Sequence, residues 1–133
     1  MPLLGFRQCY AADVESGRKP HTIRAYRKDG RDPKPGDTLY LYTGLRTKQC
    51  RKLGEATCTK VARIFIFSRD NTWSLYGDCI WTSSRGWLNE KQASRLARRD
   101  ANCTLDEFLA LFNKMHGLPF EGLLIHWGKV RKD

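Results

Sequence analysis

A chain of 133 residues is long enough to bury one hydrophobic core and too short for two independent ones, so a single domain over 1–133 is expected. With 41% hydrophobic residues it has the composition of a globular protein, which argues against a disordered chain, and no run nears the ~18 apolar residues of a membrane span. A net charge of +10 points to polyanionic partners such as RNA, DNA or an anionic membrane surface, with solubility as the plain alternative.

The predicted elements alternate between strand and turn for the first two thirds of the chain. Leu3 to Gln8 reads as a strand, and Tyr10 to Glu15 as a short helix stopped by Gly17. His21 to Tyr26 is a second strand, carrying β-branched Thr22 and Ile23. The run from Lys28 to Asp37 is dense in Gly, Pro and Asp and must be a loop. Thr38 to Tyr42 follows as a strand bounded by Gly44. A long strand is expected from Ala56 to Phe67 and another from Trp73 to Trp81, with Arg69-Asp70-Asn71 as a hairpin connection.

The character changes after Gly86. Leu88 to Arg99 has helical composition. Thr104-Leu105-Asp106-Glu107 is a capping box, in which Thr accepts from the N3 amide and Glu reaches back to the cap. Beyond it Leu105, Phe108, Leu109, Phe112 and Met115 recur at i, i+3, i+4 spacing, the strongest periodic signal in the chain. Gly117 and Pro119 end that helix, and Gly122 to Trp127 forms a final buried strand. The fold class is a β-rich α+β domain.

Charge and chemistry coincide in one stretch. Residues 18–52 hold eleven Lys/Arg against three Asp, a local balance of +8, while the remainder is close to neutral. Arg24, Arg46, Lys48 and Arg51 are candidates for phosphate contacts, and His21, Tyr40 and Tyr42 for stacking on bases. Trp73, Trp81, Trp87 and Trp127 are expected in the core or lining a cleft, with one or two as stacking platforms. Pro20 keeps Lys19 extended, and positions three apart on a strand face opposite ways. Lys19 and Thr22 therefore line one pocket only if the strand starts at or after Pro20. A partly desolvated lysine beside a hydroxyl can deprotonate it for attack on an acyl carbon. The plain alternative is a solvated lysine and a threonine chosen for its strand propensity.

Five cysteines, Cys9, Cys50, Cys58, Cys79 and Cys103, contain no Cys-x-x-Cys pair, and His21, His116 and His126 lack metal-ligand spacing. Reduced, mostly buried thiols are expected, with no metal and no cofactor. The first residues lack the apolar region of a secretory signal, so a cytoplasmic, monomeric protein is expected.

Gly17-Arg18-Lys19-Pro20-His21-Thr22-Ile23-Arg24, followed by Gly36-Asp37-Thr38-Leu39, resembles the opening of ASCH domains, members of the PUA-like superfamily. Ala97 to Asp100, Leu105 to Phe108 and Phe120 to Trp127 are similar to later segments of that family, in the same order. Arg46 to Gly54 looks like its phage and prophage branch. The resemblance implies a β-barrel-like sheet with flanking helices and a cleft for RNA or a nucleotide. One bacterial branch comprises small amidohydrolases that remove the acyl group of N4-acetylcytidine with a lysine, a threonine and a glutamate. Lys19 and Thr22 match the spacing of the first two. The third falls near Asp100, where this chain has Asp100-Ala101-Asn102-Cys103 in place of an acid followed by Gly and an aromatic; Glu107 is the other acid nearby.

Three readings follow. The first is a module that binds RNA or a modified nucleotide in a basic cleft. The second is an amidohydrolase in which Lys19 is the base, Thr22 the nucleophile and Asp100 orients the lysine or protonates the leaving amine, with Arg24 or an amide on the oxyanion. The third is a phage-encoded protein whose basic surface binds a host factor.

Overall fold

The computed structural model describes residues 3–28, 30–69 and 78–132. These form an α+β fold in which β1 (Leu3–Phe6), α1 (Ala11–Ser16), β2 (His21–Arg24), β3 (Thr38–Thr43) and β4 (Arg51–Ile66) precede β5 (Ile80–Thr82) and β6 (Gly86–Trp87). Helices α2 (Glu90–Ala101) and α3 (Leu105–Met115) and strand β7 (Phe120–Trp127) complete it. A single 3₁₀ turn, Gln8–Tyr10, leads into α1. No described helix is long and apolar enough to cross a membrane.

The strands pair in the order β1-β3-β4-β5-β6, with β7 beside β4 and β2 beside β7. β1 runs parallel to β3, while β3 with β4, β4 with β5 and β5 with β6 are antiparallel. Among the described residues no pairing joins the ends of this branched set, so the expected barrel-like closure is not formed.

The chain divides into two compact units. The first comprises Met1–Thr22, Tyr26–Val61 and Ile125–Asp133. Its strand β3 alternates strictly, burying Leu39, Leu41 and Thr43 and leaving Thr38, Tyr40 and Tyr42 half-buried, as a period of two requires. Leu39 and Leu41, like Leu4, Val14 and Leu53, are buried in the interior, and Phe6 packs edge-on to Trp127 at 5.8 Å. The Thr43 hydroxyl donates to the Phe6 carbonyl at 2.9 Å, which satisfies a polar group inside this core. The β3–β4 register slips between Leu41 and Tyr42, opposite Gly54. Gly54 has φ +151°, and a Cβ there would lie 2.8 Å from the Arg131 carbonyl oxygen. Glycine is what lets the C-terminal segment pair with β4 at Glu55 and Arg131.

The second unit comprises Ile23–Ala25 and Ala62–Leu124. Both of its helices carry capping boxes, Thr104 with Glu107 as expected and Asn89 with Gln92. Leu105, Phe108, Leu109 and Phe112 of α3 and Ala93 and Ala97 of α2 pack on Ile64, Ile66 and Ile80. Arg69 ties the two helices together, donating to Glu90 at 3.1 Å and to Asp106 at 2.5 Å.

The expected elements recur with shifted bounds: β1 and β2 each end two residues earlier than expected and β7 begins two residues earlier, and three further differences have a physical reason. β4 begins at Arg51, five residues before Ala56, because β3 continues to pair with it there. The helix expected from Leu88 starts at Glu90, since Asn89 is its cap and Leu88 is buried before it. Of the expected Trp73–Trp81 strand, residues 73–77 lie outside the described residues, as do Asp70 and Asn71 of the hairpin connection, and β5 starts only at Ile80. Cys58 and Cys79 are buried and Cys103 half-buried, but Cys9 and Cys50 are exposed, which corrects the expectation of mostly buried thiols for those two.

Candidate functional site

The approach to β2 is fixed by backbone bonds. The Lys19 amide donates to the Asp13 carbonyl at 3.0 Å, and the Pro20 carbonyl accepts from the Trp127 amide at 3.1 Å. Gly17, with φ +85°, ends α1 and turns the chain towards this point. Because β2 starts at His21, Lys19 precedes the strand, and strand alternation does not force it and Thr22 to opposite faces.

Lys19 is 4% exposed, His21 2% and Thr22 4%. Lysine is almost never buried without compensation. Here its Nζ lies 5.3 Å from the centre of the Tyr10 ring and 6.0 Å from that of Phe6, within cation–π range. The His21 ring packs against His126 at 5.4 Å. His21 is thus an interior residue, not the exposed stacking group expected from the sequence.

The first unit also carries Arg46, Lys48 and Arg51, the basic residues expected to meet phosphates. Arg46 and Lys48 lie on the exposed turn between β3 and β4, and Arg51 is exposed at the start of β4. The turn is shaped by Thr47, whose amide and hydroxyl both donate to the Gly44 carbonyl, at 3.0 and 2.6 Å. Arg46 adopts φ +66°, the left-handed region that costs an L-residue roughly 1–2 kcal/mol. Arg51 donates to Glu15 at 3.2 Å, and Lys132 reaches the other oxygen of that carboxylate at 2.5 Å. These two cations, Lys132 foremost, hold the Glu15 carboxyl below its ordinary range. Tyr40 is half-buried with Lys52 over its ring at 5.6 Å, and Lys52 pairs with Glu55 at 2.8 Å.

Arg24 and Asp100 belong to the second unit. Arg24, half-buried, ends β2, and its carbonyl lies so close to Gly122 that no Cβ fits there. Asp100 is 8% exposed in the last turn of α2, which ends at Asn102 in the left-handed region. Glu107, the other acid considered, accepts from the Thr104 amide at 3.0 Å and its carboxyl is lowered by that bond. It is occupied as a cap. Among the described residues no group of three or more His, Cys, Asp or Glu could hold a metal ion.

Trp81 and Trp87, expected in the core or lining a cleft, line a cavity whose phenylalanine wall was not anticipated. This cavity of the second unit, of about 500 Å³, is lined by Phe65, Phe67, Trp81, Trp87, Phe120 and Glu121 together with Pro119. Register explains it: Phe65 pairs with Trp81 and Trp81 with Trp87 across three strands, while Ile64, Ile66 and Ile80 point to the other, buried face. The signal was the run Ile64-Phe65-Ile66-Phe67. Alternation sends its isoleucines to one face and its phenylalanines to the other.

No protein-family model and no curated protein matches the chain. Among solved structures, the crystal structure of hypothetical protein PH0355 is similar over 94% of each chain, with a TM-score of 0.54 at 11% identity. That likeness is one of fold.

Proposed function

We propose that this protein is an ASCH-type, PUA-like module that binds RNA or a modified nucleotide. One observation carries the reading: the turn from Arg46 to Arg51 is exposed throughout, and it keeps an arginine in a backbone conformation that glycine would adopt at less cost. Arg46 and Lys48 engage phosphates from this turn. Lys19, His21 and Thr22, buried in the same unit, supply the polar groups for a nucleoside. Fluorescence polarisation with a labelled single-stranded RNA tests it. Binding is expected to weaken steeply as salt rises, and no binding at low salt overturns the reading.

A second reading is favoured by burial. Lys19, Thr22 and Asp100 are all buried although polar or charged, as catalytic groups shielded from water are. As an N4-acylcytidine amidohydrolase, the protein would use the Lys19 amine as the base that takes the Thr22 hydroxyl proton while Oγ1 attacks the acyl carbon. Collapse of the tetrahedral adduct breaks the bond to N4, and Lys19 passes the proton it took from Thr22 to the leaving amine. Water then hydrolyses the threonine ester to the free acid and regenerates the hydroxyl. Loss of N4-acetylcytidine absorbance in the wild type, abolished in Lys19→Ala and Thr22→Ala, is the expected result for this reading. Turnover surviving both substitutions excludes it.

A further inference from the structure

We infer that the aromatic cavity of the second unit is a binding site for a small alkylated ammonium cation. Phe65, Phe67, Trp81 and Trp87 present their rings at several inclinations: Phe65 and Trp81 stand at 67° with centroids 5.6 Å apart, Phe67 and Trp87 at 43° and 5.5 Å. All four are half-buried and border the same space. Rings that border a common space at different inclinations can offer their negative π faces to one charge, an arrangement that favours a methylated ammonium. A flat, neutral base fits less well. The two near-parallel rings, Phe65 and Phe67, have centroids 6.2 Å apart, closer than two stacking layers of ~3.4 Å each would need.

Charge selects the same ligand. The chain carries 24 Lys and Arg against 14 Asp and Glu, yet among the described residues the lining includes no basic side chain, and its one charged member is Glu121. A surface that excludes the chain's prevalent charge from one aromatic cavity is complementary to cations and a poor host for phosphates. The volume falls within the range of about 300–1,000 Å³ usual for small-ligand sites, so a trimethylammonium head with an attached chain fits.

The test is a titration of the wild-type protein, followed by tryptophan fluorescence, with choline, its neutral isostere 3,3-dimethyl-1-butanol, and uridine. Choline is expected to give a saturable change with a Kd of about 1 mM or tighter, and to bind at least tenfold more tightly than the isostere. Trp87→Leu, accepted only if its circular dichroism and melting resemble wild type, is expected to weaken choline at least tenfold. Equal affinity for choline and the isostere, tighter binding of uridine, or no saturation by choline up to about 50 mM overturns the proposal. The wild-type comparison stands even if the variant does not fold.

Discussion

The Lys19 Nζ stands 5.3 Å from the centre of the Tyr10 ring, on a side chain that is almost wholly buried. A lysine so placed forfeits most of its hydration, and folds that bury a charge without a function for it are often stabilised when an apolar group of similar length replaces it. Lys19→Met therefore separates the two roles this residue could have. We expect the variant to melt within a few degrees of wild type, or above it, and to lose at least tenfold in RNA affinity. A large fall in melting temperature with binding intact would make Lys19 structural.

Arg46 and Lys48 differ from Arg51 in what they already hold. Arg51 is engaged by Glu15, whereas Arg46 and Lys48 project from the exposed turn. In a salt titration of single-stranded RNA binding, replacing both Arg46 and Lys48 by Ala should make the slope of log K against log salt shallower by about 1.4, from 0.7 per phosphate contact. Arg51→Ala should change it less. Arg46→Gly tests the backbone separately: relief of the left-handed conformation, about 1 kcal/mol, offsets the larger chain entropy of glycine, so stability holds while binding falls.

How much of this was legible in the sequence depends on the range of the interaction that decides each feature. Thr104 and Glu107 announce their helix because a capping box lies within four residues, and Gly17 marks the end of α1 for the same reason. The start of β2 after Pro20 was equally local. The burial of Lys19 was not, since it depends on Tyr10 and Phe6 arriving from α1's approach and from β1. Nor was the pairing of Glu15 with Arg51 and Lys132, which joins three distant parts of the chain. The aromatic cavity was half legible: alternation put Phe65 and Phe67 on one face, but only strand register brings Trp81 and Trp87 beside them.

Thiol chemistry should divide the five cysteines. Cys9 and Cys50 are exposed, while burial pushes the Cys58, Cys79 and Cys103 thiols above their ordinary range. Under native conditions a disulfide-exchange reagent should titrate two thiols quickly and the rest slowly, with all five reacting at once in denaturant. Fast native reaction of four or five would show that the second class is not protected by the fold.

Glu15 should make stability depend on acid. Its folded carboxyl is held below the ordinary value of 4.5, by the Lys132 hydrogen bond first and then by Arg51. A depressed carboxyl contributes stability that is fully present above the unfolded value and is lost as pH falls through the folded one. Glu15→Gln should accordingly melt below wild type at neutral pH, with the gap closing as pH drops beneath 4.5 and shrinking in high salt. A gap that persists in acid would point to packing instead of charge. Because both cations are exposed, the whole effect should be small.

Gly54 joins the β3–β4 register shift to the C-terminal segment, and its replacement should uncouple them. A Cβ at this φ of +151° would meet Val130 Cγ1 at 2.6 Å and the Arg131 carbonyl oxygen at 2.8 Å. The second contact is with backbone, which cannot step aside as a side-chain end can. It would break the two bonds between Glu55 and Arg131, of 2.8 and 2.7 Å, that fasten the segment to β4. Lys132 would then leave Glu15, since it is held there by the same segment. Gly54→Ala should therefore cost about 1–3 kcal/mol in denaturant unfolding. It should also expose the amides of Glu55 and Arg131 to fast hydrogen exchange, while those of α2 and α3 in the second unit exchange as in wild type. Retained protection at Glu55 would mean that the segment absorbs the methyl group by shifting, and that Gly54 is needed only for its own backbone conformation.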